Sequence, residues 1–209
     1  MLLEPDQAAP VREQVRAEIQ ASRRARTPQR QLADDRLRDT RVLTLLTEIL
    51  DESPQKPVVA CYLSRPGEPG TTRLVGALAE RYQVLAPKLG PDDQGRPRRE
   101  PDWAWFTGLD ALTDGIFGIP DPSGPGLGAT ALSQADVVIA AGLCAGADGS
   151  RIGTGGGWFD RALLHRRSGA QVIVLLNDDE IRCVPTELHD QPVDWLVTPT
   201  RTIRTDAKN

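Results

Sequence analysis

Sulfur and imidazole are scarce in this chain: 209 residues contain three cysteines, two histidines and one methionine. Cys61, Cys144 and Cys183 lie far apart with no C-x-x-C spacing, which excludes a disulfide framework and a zinc site of the usual ligand pattern. No run of 18 apolar residues occurs, so no membrane-spanning helix is expected. The first residues, MLLEPDQAAPVREQ, lack a positively charged start followed by a long apolar core, and the expectation is a cytoplasmic protein with reduced thiols. Positive charge is not in excess either. Lys and Arg number 25 against 29 Asp and Glu, a net charge of −4, which lacks the basic footprint of a nucleic-acid binder. Nine Arg fall within residues 1–41, but seven acids lie there too. No internal repeat is evident. What remains, 39% hydrophobic and 26% charged residues, is the composition of a soluble globular protein. The length suits a single domain over 1–209, and a monomer is expected.

The hydrophobic pattern alternates between helical and strand periods. An N-terminal helical arm spans about 10–50, its first helix carrying Val11, Val15 and Ile19 at four-residue spacing and setting Arg12 and Arg16 on one side. Thr27 can cap the second helix, with Pro28 at its first position. PVVACYL (57–63), residues 83–87, ADVVIAA (135–141), QVIVLL (171–176) and WLVT (195–198) read as buried strands. Helices are expected through Leu74, Leu78 and Tyr82 and from Phe159 to Arg167. The alternation predicts an α/β fold with a mostly parallel sheet. The polar, Pro- and Gly-rich stretch 90–102 reads as an exposed hairpin tip or mobile loop.

Seven of the 19 glycines fall between 142 and 157. Such a stretch admits positive φ and lets backbone N–H groups approach an anion, so it can cradle phosphate; a purely structural bend fits it equally well. Neither GxxxxGK[ST] nor GxGxxG is present. Arg151 before the loop can pair with phosphate oxygens, and Asp160 after it can hold a hydrated Mg²⁺ or cap the helix. Asp190 and Asp194 lie four apart in the later run VPTELHDQPVDWLVTP, where one can supply a second carboxylate or both can belong to a surface turn.

Taken together, RIGTGGGWFDR (151–161), HDQPVDWLVTP (189–199), SRPGEPGT (64–71) and VREQVR (11–16) resemble the 5-formyltetrahydrofolate cyclo-ligase, or 5,10-methenyltetrahydrofolate synthetase, family. The most specific part is the run R-[LIM]-G-x-G-x-G-aromatic-aromatic-D. The resemblance implies a ligase that uses ATP and Mg²⁺ to convert 5-formyltetrahydrofolate to 5,10-methenyltetrahydrofolate through a phosphorylated formyl oxygen, and it leaves open whether polyglutamylated forms are preferred. It also implies an open three-layer sandwich similar to the ribose-phosphate isomerase and CoA-transferase group.

Carried over to this sequence, the resemblance places Arg12, Arg16, Arg151, Gly153, Thr154, Gly155, Gly156, Gly157, Trp158 and Phe159 on the nucleotide. Leu63, Glu68, Thr154 and Trp158 fall on the folate, with Ser64 and Thr71 completing the S-x-x-x-E-x-x-T pattern around Glu68. Asp160 and Asp190 match the Mg²⁺ carboxylates, and Arg151 and Asp160 the catalytic pair. Trp158 suits ring stacking and core packing alike, and Arg12 and Arg16 suit phosphate binding and a solvated helix face alike. His189 and His165 are not required as bases. One segment departs from the family: Pro-x-x-Ala-Phe-Asp is replaced by AGLCAG (141–146), with Asp148 as the nearest acid able to compensate. Two other readings stay open, a nucleotide- and folate-binding relative without turnover and a sugar-phosphate isomerase or CoA-transferase-like protein that needs no ATP.

Overall fold

Alternate residues along each central strand face opposite layers, and two separate cores follow from that period of two. The computed structural model describes residues 5–50, 56–187 and 189–207. Strand β1 (Val58–Cys61) lies between β6 (Val137–Ala140) and β2 (Gln83–Pro87), with β9 (Gln171–Leu175) and β10 (Trp195–Val197) continuing beyond β6; all five are parallel. Val59, Cys61, Val137, Ile139, Ile173, Leu175 and Val197 pack towards two helices, α2 (Pro28–Ile49) and α3 (Thr72–Arg81), through Val42, Leu45, Leu46, Leu74 and Leu78. Ala60, Val138, Ala140, Val172, Val174 and Leu196 face the other way, onto Leu132 and onto Ala162 and Leu163 of the short helix α4 (Trp158–Leu163). The result is the expected three-layer, mostly parallel α/β arrangement.

Two antiparallel edge strands complete a seven-stranded sheet of order β11-β10-β9-β6-β1-β2-β3. They are β3 (Trp103–Trp105) beside β2 and β11 (Thr202–Arg204) beside β10. β11 carries one apolar residue in three and β3 stands at the end of a polar, Pro-rich stretch, so neither edge carries a strand signal in the sequence. Thr27 caps α2 as expected, its Oγ1 accepting from the Arg30 amide at 3.2 Å.

The N-terminal helix α1 (Pro5–Arg24) does not lie on the sheet. Its Val15 and Ile19 pack on Leu143, Cys144, Ile152 and Val184 in a third, smaller core. The loop 90–102 turns over at Asp92–Arg96, mostly exposed as expected, and polar contacts hold its two ends. Asp121 accepts from the amides of Leu89 and Gly90 at 2.6 and 2.9 Å, and Arg98 donates to Gly90 O at 2.9 Å and to the Asp102 carboxylate. Asp102 in turn accepts from the amides of Trp103 and Gly128. Polar side chains, invisible to hydropathy, tie this loop down. Residues 1–4, part of the leaderless N-terminal reading, lie outside the described residues, and no described helix is long and apolar enough to cross a membrane.

Candidate active site

The chain leaves β1 towards β2 on one side and leaves β6 towards β9 on the other. Loops at the carboxyl ends of two neighbouring parallel strands therefore diverge, and such a switch point leaves a crevice between them. Here the crevice is a cleft of about 710 Å³ whose walls include Glu68 from the loop after β1 and Ala141, Gly142 and residues 153–160 from the segment after β6. Helix α1 closes a further side with Arg12 and Arg16, and Glu187 and His189 line it from the C-terminal segment.

After β6 the chain makes a tight hairpin, β7 (Cys144–Ala145) against β8 (Arg151–Ile152), before the glycine loop. Gly142 is required by close approach: a Cβ there would lie 2.9 Å from Val174 Cγ1 and 3.5 Å from Arg151 Cγ. The absence of a side chain makes room for Arg151, which is 3% exposed and reaches back to Ala141 O at 3.3 Å. In the loop, Gly155 and Gly157 have φ of +102° and +63°, left-handed values that favour glycine. Arginines hold the loop by its carbonyls: Arg16 Nε donates to Gly153 O at 3.1 Å and Arg161 Nη1 to Gly156 O at 3.0 Å. Among the described residues, none of the backbone amides of 153–157 donates to a protein acceptor. A run of unused amides on a cleft wall is the arrangement that suits a polyanion.

The charges of the cleft are paired. The Arg12 guanidinium grips Asp190 with both Nη atoms, at 2.5 and 3.1 Å, and also donates to Pro185 O at 2.9 Å. Burial alone would raise the Asp190 carboxyl; the Arg12 hydrogen bonds, the Glu187 amide at 2.8 Å and the neighbouring positive charge outweigh it and hold it below the ordinary carboxylate value. Arg12 likewise loses solvation, yet Asp190, Glu187 and Asp160 keep its cation more firmly protonated than a free guanidinium. Arg151 pairs with Asp160 through Nη2.

For a hard divalent cation the carboxylate oxygens are suitable donors. Asp160 lines the cleft, and its contacts with Arg151 and the Gln191 amide both use Oδ1, leaving Oδ2 unused by them. Glu187, His189 and Asp190 bring one ligand atom each within 4.8 Å of one another. Asp160 thus fits its expected metal role. Asp190 fits only if Arg12 releases it, because both its oxygens are engaged. Glu187 lay inside a run noted in the sequence but was not singled out, since a lone acid in a turn carries no spacing signal.

Across the cleft, the 64–71 loop is closed by reciprocal bonds, Ser64 N to Thr71 Oγ1 at 2.9 Å and Thr71 N to Ser64 Oγ at 3.0 Å. These two members of the sequence pattern thus shape the loop. Tyr62 Oη donates to Pro69 O at 2.7 Å, and Asp35 accepts from Gly70 N at 2.9 Å. Glu68 lines the cleft and accepts from Arg65 N and Nε at 3.2 and 3.1 Å. Leu63, expected on the substrate, follows β1 directly; its side chain is buried in the core with α2 and α3 and is not part of the cleft lining. Trp158 lines the cleft and packs edge-on against Trp103 at 5.2 Å. Phe159 also lines the cleft and meets Trp158 at 4.9 Å. Asp148, the nearest acid to the altered segment, accepts from the Ser150 amide and hydroxyl at 3.1 and 2.6 Å and is not part of the cleft wall. His165 is half-buried outside the cleft wall, whereas His189 is exposed on it, 3.3 Å from Glu187.

The fold recurs in solved structures. The 5,10-methenyltetrahydrofolate synthetase of Aquifex aeolicus superposes with a TM-score of 0.72 at 23% identity, covering 95% of either chain. That of Mycoplasma pneumoniae gives 0.67 at 16% identity, covering 90% of this chain and 98% of the other. In sequence, a 5-formyltetrahydrofolate cyclo-ligase of Mycolicibacterium smegmatis is 34% identical over 147 residues, 69% of this chain and 75% of that protein. The match to the family itself runs over residues 8–199, from the arginines of α1 to the strand beyond Asp190, so the chain belongs to the 5-formyltetrahydrofolate cyclo-ligase family.

Proposed function

We propose that this protein catalyses the ATP-dependent cyclisation of 5-formyltetrahydrofolate to 5,10-methenyltetrahydrofolate, with release of ADP and phosphate. The observation that carries the reading is the glycine loop with its unused amides, faced by Arg12, Arg16 and Arg151 and set opposite Glu68 across one cleft. Family membership supplies the reaction class.

The chemical obstacle is the formyl oxygen, a poor leaving group. Its attack on the γ-phosphorus of ATP breaks the bond to ADP and leaves an iminium-like carbon. N10 of the folate adds to that carbon, and the C–O bond then breaks, the phosphate departing with the oxygen and the N10 proton. Little covalent help is needed from the protein; positioning and charge neutralisation dominate. The loop amides and Arg16 orient the phosphates, and Arg151 steadies the transferring group. Glu68 accepts hydrogen bonds from the pterin N–H edge, which fixes the formyl group towards the nucleotide. Trp158 and Phe159 offer ring faces that exclude water from the activated carbon. Asp160 on the glycine-loop side, and Glu187 and Asp190 on the C-terminal side, are the carboxylates that would hold Mg²⁺, and the ion would neutralise phosphoryl oxygens there. We place the protein in the cytoplasm as a monomer.

The test is the methenyltetrahydrofolate absorbance when protein meets 5-formyltetrahydrofolate with Mg²⁺ and with ATP present or omitted. The expected outcome is a rise only with ATP. No rise while calorimetry still detects both ligands would replace this reading with a binding-only relative, and turnover without ATP would point to a different enzyme class.

A further inference from the structure

Two of the three arginines on the cleft wall are already engaged by carboxylates of the same site. Arg12 lies fork-on against Asp190, both side chains 6% exposed, and Arg151 against Asp160. Only Arg16 faces the loop without a buried carboxylate partner; it takes Gly153 O and the exposed Glu13. Three guanidiniums (Arg12, Arg16, Arg151) therefore share the wall with three carboxylates (Glu68, Asp160, Glu187), and Asp190 stands behind Arg12. The charge of Asp160 also reaches Arg12, so the two pairs form one electrostatic cluster.

A cleft balanced in this way attracts a bare polyanion poorly. A guanidinium whose fork is filled by a carboxylate presents little field to a second anion, and phosphate oxygens brought beside buried carboxylates repel them. A cation arriving with the nucleotide changes both terms, giving the carboxylates a new partner and freeing the guanidiniums for phosphate.

We propose that the Arg12–Asp190 and Arg151–Asp160 pairs are exchange pairs that make this cleft select the metal-bound nucleotide over the metal-free one. Asp160 and Asp190 act as specificity determinants: each occupies an arginine until a divalent cation takes it. The inference rests on the ATP-dependent reading above.

Calorimetric titration of the full chain with ATP, once in EDTA and once with Mg²⁺, tests it on the wild type, Asp160→Asn and Asp190→Asn, with thermal unfolding confirming that each is folded. In the wild type, Mg²⁺ is expected to tighten binding by about tenfold or more. In either variant the metal-free nucleotide binds about fivefold tighter than in the wild type and most of the Mg²⁺ effect is lost, since an arginine is free from the outset. Metal-free affinity that is unchanged or weaker in both variants overturns the proposal, as does a wild type that binds ATP equally in both buffers. A wild type that binds no ATP in either buffer instead removes the ATP-dependent reading on which it rests.

Discussion

Asp39 shows at the scale of one residue how burial and charge compete. Its carboxylate is buried on α2, where loss of solvent pushes it up to about 6 against the pull of Arg73 at 3.5 Å. Oδ1 has no hydrogen-bond partner among the described residues. Between the unfolded value near 3.8 and about 6 the native state binds more protons than the unfolded one, so unfolding free energy falls as pH rises through that window. Two pK units correspond to at most about 3 kcal/mol, a ceiling that already includes the pull of Arg73. Asp39→Asn is therefore expected to raise stability by about 1–2 kcal/mol at pH 8 and to leave it nearly unchanged at pH 4, read from urea unfolding at the two pH values. An equal effect at both would show that the carboxylate is not desolvated. At the same scale, Gly142→Ala forces a methyl group against Val174 and the stem of Arg151. It should weaken ATP binding by about tenfold, measured by calorimetry, with the larger loss in that binding rather than in melting temperature.

Among the elements, α1 is attached to the rest of the protein by buried ion pairs as well as by the small core around Val15 and Ile19. Arg23 donates to both oxygens of Glu180 at 2.7 and 2.8 Å and to Gly142 O at 2.8 Å, and Glu180 also accepts from the amide of Asn177 at 2.8 Å. Both side chains are almost fully buried. Removing one partner strands a buried charge, so Arg23→Ala should cost about 3 kcal/mol in urea unfolding. Arg30→Ala, which removes a largely exposed partner of Asp34 while Arg26 stays in place, should cost less than about 1 kcal/mol. Equal costs would mean that α1 is held by packing instead. The attachment also marks the limit of what the sequence discloses. The helices are legible from their apolar period and the five central strands from apolar runs set between polar turns, β10 within WLVT included, and the glycine loop because its composition is extreme. The Arg12–Asp190 pair joins residues 178 apart, and nothing local in either neighbourhood announces the other. The edge strands β3 and β11 are short and set among polar residues, and the family motif that names Leu63 carries no information about which way its side chain turns.

For the whole molecule, the strand order decides where chemistry can occur. Because β1 and β6 are neighbours whose onward connections run in opposite directions, the 64–71 loop and the glycine loop reach the cleft from independent halves of the sheet. Glu68 is held by Arg65 within its own loop, and Asp160 by Arg151 across the glycine loop; no hydrogen bond among the described residues joins the two carboxylates' loops. Two half-sites built on separate supports should fail separately. Glu68→Ala removes a charged acceptor from the proposed folate side, a loss of about 1.5–3 kcal/mol, and is expected to raise KM for 5-formyltetrahydrofolate by about 10- to 100-fold while KM for ATP moves by less than about twofold. Asp160→Ala is expected to abolish Mg²⁺-dependent turnover while the protein still unfolds cooperatively, with a melting temperature lowered by up to about 10 °C because the nearly buried Arg151 loses its carboxylate. Steady-state kinetics with both substrates varied, together with thermal unfolding, reads all of these quantities. If Glu68→Ala instead raised KM for ATP the more, the boundary between the half-sites would have to be redrawn on the other side of that loop. Wild-type turnover in Asp160→Ala would leave Glu187 and Asp190 as the carboxylates to test next.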